Sequence, residues 1–486
     1  MFILSSVLVL VSSIPGSDCW PSFRGNGTSI SLADGLPVRW SVNDGIAWRV
    51  IVPGYGQSSP LIWKDRVFLT SVEGANKEKA IISAFNLCAG KMLWKKEYPS
   101  SQRLRSTPMV SRAAPTGVVD AERLIALFES GDLICLDHQG NEFWKRALTS
   151  EYGPWDNNHG MASSLAQDNE RVFVLADHRG SSPWLMAIHK ATGRTVWKVD
   201  RKPKSCWTSP IIATIQNRQQ LIISSSGCIE AYSPENGKSL WKLDGLVGNT
   251  IASPVAAGDR IIVGAGETRM NPDTAASAQS NCAISVGASG PRREWGTQKA
   301  ISQHASPLVY RGVVYFMTRA GMVHAHDLET GKELFVERLT DPCWATPIAA
   351  GEWVYFFGKG GATTVFKAGT VPVRETVNRL WGEAEFARRK EEEKAKSESL
   401  LRTSGRQEKA ITDRRESAFN ESTGVDTSKS KVGESKRGSS TVAGGSEKKA
   451  GHEAVGDVVY GVAAVDGMWI IRTGTELFCI RHGVQR

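Results

Sequence analysis

The chain has 486 residues, is 22% charged and 41% hydrophobic, and carries a formal net charge of +9. An apolar fraction of that size supports a buried core, and the positive charge is diffuse and attached to no nucleic-acid motif, which argues against a wholly disordered chain and against nucleic-acid binding. The eight cysteines include no C-x-x-C and no adjacent pair, so neither a zinc ribbon nor a dithiol redox centre is signalled.

Residues 1–16, MFILSSVLVLVSSIPG, are apolar. The stretch is too short to span a bilayer comfortably and has the length of a signal h-region, so residues 1–18 are expected to direct export to the periplasm or outside the cell. No other segment reads as a transmembrane helix. Next, PVRWSVNDGIAWRVIVPG holds one strand with Asp44-Gly45 ahead of Trp48 and no partner of its own. From there a phrase repeats. Gly90 precedes Trp94, Gly140 precedes Trp144, Gly193 precedes Trp197 and Gly237 precedes Trp241; Gly290 with Trp295 and Gly331 with Phe335 are variants. An apolar alternation leads into each glycine, which reads as strand, hairpin turn, strand.

A second mark opens each unit. Ser59-Pro60, Thr107-Pro108, Ser209-Pro210, Ser253-Pro254, Ser306-Pro307 and Thr346-Pro347 begin apolar stretches, and the segments from Ala162 and Tyr460 fit the same template without proline. Proline is tolerated at the first residue of a strand, where no ladder N–H is needed. The count and spacing predict an all-β fold: an eight-bladed β-propeller of four-stranded antiparallel blades, its ring closed by the N-terminal strand pairing with a last unit that supplies only three. The organisation expected is a signal-like segment at 1–18, the closing strand and blades 1–7 at 19–382, an insert at 383–457, and the last blade at 458–486. The insert is mixed-charge, then Ser/Gly/Lys-rich, and too poor in large apolar residues to offset its ordering entropy, so most of it is expected to be disordered.

The recurring tryptophans, Trp48, Trp94, Trp144, Trp197, Trp241 and Trp295, are read as structural: one large ring per blade, buried against the neighbouring blade with its indole N–H satisfied there. Equivalent cysteines such as Cys206 and Cys343 stand in separate blades, too far apart to bridge, and read as buried free thiols.

Ligands of propellers meet the loops that enter the innermost strands. Those loops place Gln57, Arg105, His159, Trp207, Asn249, His304 and Trp344 at one mouth, with Asp156 as the nearby carboxylate. Rings to stack on and polar groups to orient a ligand make these the candidate ligand-binding residues; plugging of the channel by the same tryptophans is the competing reading. No His/Asp/Glu spacing marks a metal site, and no Ser-His-Asp set or phosphate loop is visible.

The phrases HKATGRTVWK, SPENGKSLWK and DLETGKELF resemble the quinoprotein-type repeat, and the opening WPSFRGNGTSISLADGLPVRWS is similar to the exported PQQ-like repeat proteins of planctomycete bacteria. That resemblance covers nearly the whole chain outside the insert. It implies the propellers of pyrroloquinoline quinone (PQQ) dehydrogenases and of the BamB-type outer-membrane assembly lipoprotein. The dehydrogenases hold PQQ on a tryptophan floor under a vicinal disulfide with Ca²⁺ bound by Glu, Asn and Asp. Here no Cys-Cys pair exists, and Glu267, Asn271 and Asp273 on one loop are the nearest approach to the calcium set. The function expected is a non-catalytic binding scaffold of the cell envelope, with an envelope protein or a glycan as partner and no resident cofactor. The alternative is a PQQ- and Ca²⁺-dependent alcohol or sugar dehydrogenase, in which Asp156 or His159 would take the substrate proton, Arg105 would hold quinone carboxylates, and Trp207 or Trp344 would stack on the ring.

Overall fold

The computed structural model describes residues 17–104, 112–157, 159–267, 274–389, 391–392, 395 and 459–485. Two compact units are distinguished, one of Met1–Ser106, Val110–Phe386 and Asp457–Arg486, the other of Thr107–Met109 and Ala387–Gly456. The expected signal segment lies outside the described residues except for its last two positions, and so does most of the expected insert. In the smaller unit, Arg388 pairs with Glu392 at 2.6 Å, one helical turn apart.

The described residues of the larger unit form eight sheets, each built on four antiparallel strands, consecutive along the chain in seven of them. Blade 1 runs outward through Leu61–Trp63, Arg66–Glu73, Lys79–Asn86 and Met92–Pro99. Blades 2, 3 and 4 begin at Val118–Val119, Ala166–Gln167 and Ile211–Ile215, and blades 5, 6 and 7 at Val255–Ala257, Leu308–Tyr310 and Ile348–Ala350. Blade 8 has Gly461–Val465, Met468–Arg472 and Glu476–Gln485, and Asp44–Ile51 completes it from the N-terminal side, with Trp48 opposite Cys479. The closed eight-bladed propeller is therefore as expected. The strand opening blade 2 is not. It follows Thr116-Gly117, whereas Thr107-Pro108 lies outside the described residues. Thr116-Gly117 stands before Val118 as Ser59-Pro60 stands before Leu61, so the true mark of blade 2 is Thr116 and not Thr107-Pro108.

Strand alternation sends side chains to opposite faces, so each blade feeds two interfaces. In blade 3, Val172, Val174 and Ala176 pack with Leu133 and Cys135 of blade 2, while Phe173 and Leu175 pack with Leu221 and Ile223 of blade 4. The core is a series of such layers between blades. The tryptophans sit at their outer edge. Trp48, Trp94, Trp144, Trp197 and Trp295 each donate the indole N–H to a carbonyl in the next blade, at 2.8–3.0 Å, from Leu87, His138, Lys190, Pro234 and Leu328 respectively. Each ring covers that blade's turn glycine: a Cβ on Gly193 would lie 2.7 Å from the Trp144 ring. The glycine is thus required twice, for its φ of +68° and for the absent side chain. Trp241 departs from the rule and donates to Gln220 Oε1 in its own blade at 2.7 Å.

The serine and threonine marks do more than open strands. Ser59 N donates to Thr116 Oγ1 (2.9 Å), Thr116 N to Ser164 Oγ (3.0 Å), Ser164 N to Ser209 Oγ (2.9 Å), Ser209 N to Ser253 Oγ (2.8 Å), Ser253 N to Ser306 Oγ (3.0 Å) and Ser306 N to Thr346 Oγ1 (3.3 Å). This belt laces blades 1 to 7 around the channel. Blade 8 has Gly461 at the matching position, where a Cβ would lie 2.5 Å from Ser59 Cα. Its link to blade 1 is instead the fully buried Arg472, which donates to Ser58 O (3.0 Å) and Thr70 O (2.6 Å).

The segment after residue 17 closes the far end of the channel. Cys19–Trp20 pairs antiparallel with the first strand of blade 1, and Ile30–Ser31 pairs parallel with the first strand of blade 7, so both blades gain a fifth strand. Between them, Pro21 O accepts from Val119 N at 2.9 Å and Arg24 Nη2 donates to Pro254 O at 2.6 Å, which ties the crossing to blades 2 and 5. Arg24 is buried, with Nε and Nη1 lacking a partner among the described residues, and burial pulls its guanidinium down to about 9.

Candidate functional site

The loops entering the first strands meet at the opposite end of the channel, and their side chains form two arcs. The larger arc spans blades 6, 7, 8, 1 and 2. His304 lies 5.2 Å from Trp344, Trp344 lies 6.4 Å from Tyr460, and Tyr460 Oη shares a 2.7 Å hydrogen bond with Tyr55 Oη. The Arg112 guanidinium stacks 3.6 Å above the Tyr55 ring, and Lys359 stands 5.3 Å from the Trp344 ring. Gln57 Oε1 accepts from Arg112 N at 2.7 Å, which fixes the loop of blade 2 against blade 1. Burial, with the Tyr55 hydroxyl beside it, holds the Tyr460 phenol well above its ordinary pKa, so it stays neutral.

The smaller arc spans blades 3, 4 and 5. His159 lies 5.7 Å from Trp207, whose indole donates to Gly160 O and whose backbone N–H donates to Thr250 O, both at 2.8 Å. Trp207 is thereby pinned on both sides.

Of the residues expected at the mouth, Gln57, His304 and Trp344 are brought together in the first arc, and His159 and Trp207 in the second. Asn249 belongs to neither. It is fully buried, its Oδ1 accepts from Gly227 N at 3.0 Å, and its Nδ2 donates to Ser224 Oγ, Ser225 O and Cys228 O, so its polar atoms are spent inside blade 4. Asp156 is exposed and stands 3.7 Å from Arg179, with its backbone carbonyl taken by Arg179 N. Arg105 lies outside the described residues, as do Asn271 and Asp273 of the loop that begins at Glu267.

Arg112, Tyr460 and Lys359 were missed. Arg112 stands four residues ahead of Thr116, as Tyr55 stands ahead of Ser59, whereas the Thr107-Pro108 mark pointed to Arg105. Tyr460 directly precedes Gly461 of the last blade, the position that Trp344 and Trp207 approach in theirs. Cations set against neutral rings, Arg112 on Tyr55 and Lys359 on Trp344, are the site's electrostatic signature. Two positive groups over aromatic faces, each interaction worth about 0.5–2 kcal/mol, form a rigid surface suited to an acidic or aromatic partner. Among the described hollows, one of about 310 Å³ lies at the other end, where Phe23, Asn26 and Gly27 face Gln167, Ile211 and Thr214.

A family model described as the outer membrane protein assembly factor BamB matches residues 26–176, 78–337 and 182–418 in overlapping spans. Among solved structures, the chain is similar to BamB from Moraxella catarrhalis at 10% identity and a TM-score of 0.54, covering 91% of this chain and 98% of that one. It is also similar to the quinohemoprotein alcohol dehydrogenase from Comamonas testosteroni at 12% identity and a TM-score of 0.52, covering 74% of this chain and 73% of that one. At such identities the likeness is one of fold. No curated protein sequence matches significantly.

Proposed function

The chain belongs to the family of the outer membrane protein assembly factor BamB, and on that premise we propose that it is an exported, non-catalytic propeller that captures a protein partner at its channel mouth in the cell envelope. The observation that carries this reading is the state of the mouth itself. Its rings and polar groups are locked to one another, from His304 through Trp344, Tyr460 and Tyr55 to Arg112, in a preorganised surface. Rigid aromatic and arginine anchors are what tight protein interfaces use, because little side-chain entropy remains to be lost on binding. A glycan stacking on Trp344 and Trp207 would use the same surface.

The alternative is a quinoprotein dehydrogenase. The described mouth is a poor match for PQQ: Trp207 is held by Gly160 and Thr250, Trp344 is covered by Lys359 and His304, and no two cysteines are adjacent in the chain to cap a quinone. Titration with PQQ and Ca²⁺, followed by tryptophan fluorescence and confirmed by calorimetry, separates the two. No saturable binding is expected up to tens of micromolar, and a micromolar isotherm with one quinone per chain would overturn the scaffold reading. In crosslinking to envelope proteins, the Trp207→Ala/Trp344→Ala double variant should lose the adducts that the wild type forms while keeping its fold. Unchanged adducts would remove the mouth as the binding surface.

A further inference from the structure

Blade 6 breaks the repeat on its outer half. Its third strand, Met322–Asp327, carries His324 and His326, and its fourth begins at Glu333. Val323 and Ala325 of this strand pack towards blade 7, so the histidines point to the other face, where His326 stacks 6.4 Å from Trp295 of blade 5. The pair His326 and Glu333 face each other across the hairpin just past a bulge. The same cross-strand position holds Phe85 with Met92 in blade 1, Ile188 with Thr195 in blade 3, and Phe366 with Arg374 in blade 7. A buried apolar residue is the rule there, and histidine is the exception.

Three facts make the exception chemical. His326 is 3% exposed, its Nδ1–H donates to Gly331 O at 3.0 Å, and no donor among the described residues reaches its Nε2. The carbonyl fixes the tautomer, so a bare Nε2 lone pair is left buried; this is the arrangement in which a histidine binds a metal, its other nitrogen anchored to a carbonyl. Glu333 Oε2 lies 4.0 Å from that Nε2 and 3.1 Å from His324 Nδ1. The ligand atoms of the three residues all lie within 4.8 Å of one another. In a tetrahedral zinc site with bonds of about 2.0–2.2 Å, neighbouring donors stand roughly 3.3–3.5 Å apart, so small side-chain rotations bring all three into range.

We propose that His324, His326 and Glu333 form a three-ligand site for a divalent transition-metal ion, zinc best matching two imidazoles and a carboxylate, which pins the outer hairpin of blade 6. Nearly half of the Glu333 side chain is exposed, which gives the ion an entry path and leaves a fourth position for water.

The test is metal loading of the full chain. After chelation and dialysis, zinc titration with elemental analysis should give about one ion per chain, and cobalt should give a visible absorption band of a low-coordinate site. His326→Phe, which installs the residue of blades 1 and 7, and Glu333→Gln, at an exposed position, should each weaken zinc binding by at least about 100-fold. Zinc should raise the melting temperature of the wild type and of neither variant. If the wild type takes up no zinc or cobalt, or both variants bind as tightly as it does, the site does not exist. Since Glu333→Gln leaves the packing intact, its loss of binding cannot be ascribed to misfolding.

Discussion

Replacing Ser209 by alanine isolates one link of the belt. Its Oγ accepts the Ser164 N–H at 2.9 Å, and both residues are nearly inaccessible to solvent. The substitution keeps the Cβ and creates no cavity larger than an oxygen atom, so packing is nearly constant. What changes is that the Ser164 amide is left buried without an acceptor, at a cost of about 1–3 kcal/mol. Equilibrium unfolding in urea measures this as a shift of the midpoint at unchanged slope; where refolding is incomplete, the unfolding rate serves instead. Ser209→Thr supplies the control, because Thr116 and Thr346 already play this part elsewhere in the belt, and it should cost far less than alanine. A loss below about 0.3 kcal/mol for Ser209→Ala, less than even a modest hydrogen bond, would refute the belt as a source of stability. The reverse experiment at the gap is Gly461→Ser, which offers the missing hydroxyl but drives a Cβ to 2.5 Å from Ser59 Cα. It should destabilise, not complete, the ring.

Trp144→Ala should cost about 3–5 kcal/mol by chemical unfolding, and Gly193→Ala, which pushes a methyl group to 2.7 Å from the same ring, should destabilise as well; a neutral Gly193→Ala would show that the ring gives way. Arg24→Met removes a buried charge that lacks a carboxylate partner among the described residues and should leave stability unchanged or raise it by about 1–4 kcal/mol. A clear drop in the unfolding midpoint would mean that the guanidinium is compensated. Burial alone would raise the Asp120 carboxyl, but Lys190 at 2.7 Å and the Glu122 and Arg123 amides hold it below its ordinary value. A carboxyl depressed in the folded state contributes stability that is present above its unfolded pKa of about 3.9 and is lost as pH falls through the folded value. The stability gap between wild type and Asp120→Asn should therefore be open at neutral pH and close on acidification below about pH 4; a gap independent of pH would remove the ion pair as its cause.

The ring was legible because its signals recur. A glycine followed by a tryptophan survives in blade after blade, since each ring needs the next blade's bare turn, and the unpaired strand around Trp48 announced its own partner. The belt was half legible: the serines stood out, but the amide that each hydroxyl serves lies one repeat away in sequence. Residues 19–31 gave no such signal. Trp20 and Arg24 occur once, on an irregular crossing without periodicity, and only the closed ring shows what they fill. At the mouth, alignment of the repeats sufficed for Gln57, His159, Trp207, His304 and Trp344. It failed at blade 2, where the true mark is Thr116 and not Thr107-Pro108, and so Arg112 was lost. His324 and His326 read as ordinary strand residues because their third companion, Glu333, follows a turn. Alternation along one strand, which puts both rings on one face, was the clue available.

The closing strand also dictates an order of events during synthesis. Asp44–Ile51 leaves the ribosome before any of the seven blades that follow it, yet its partner, Glu476–Gln485, is made after all of them. Until then an eight-residue strand has no ladder to join, and Ile30–Ser31 waits likewise for blade 7. Pairings so distant along the chain are slow to form, and an unsatisfied strand edge recruits other chains in the meantime. A nascent chain of this kind gains from being kept extended until it is complete. Passage through a membrane in the unfolded state, with the ring assembled only on the far side, would meet that need, and a polypeptide released before its final blade would be an open ring with an adhesive edge.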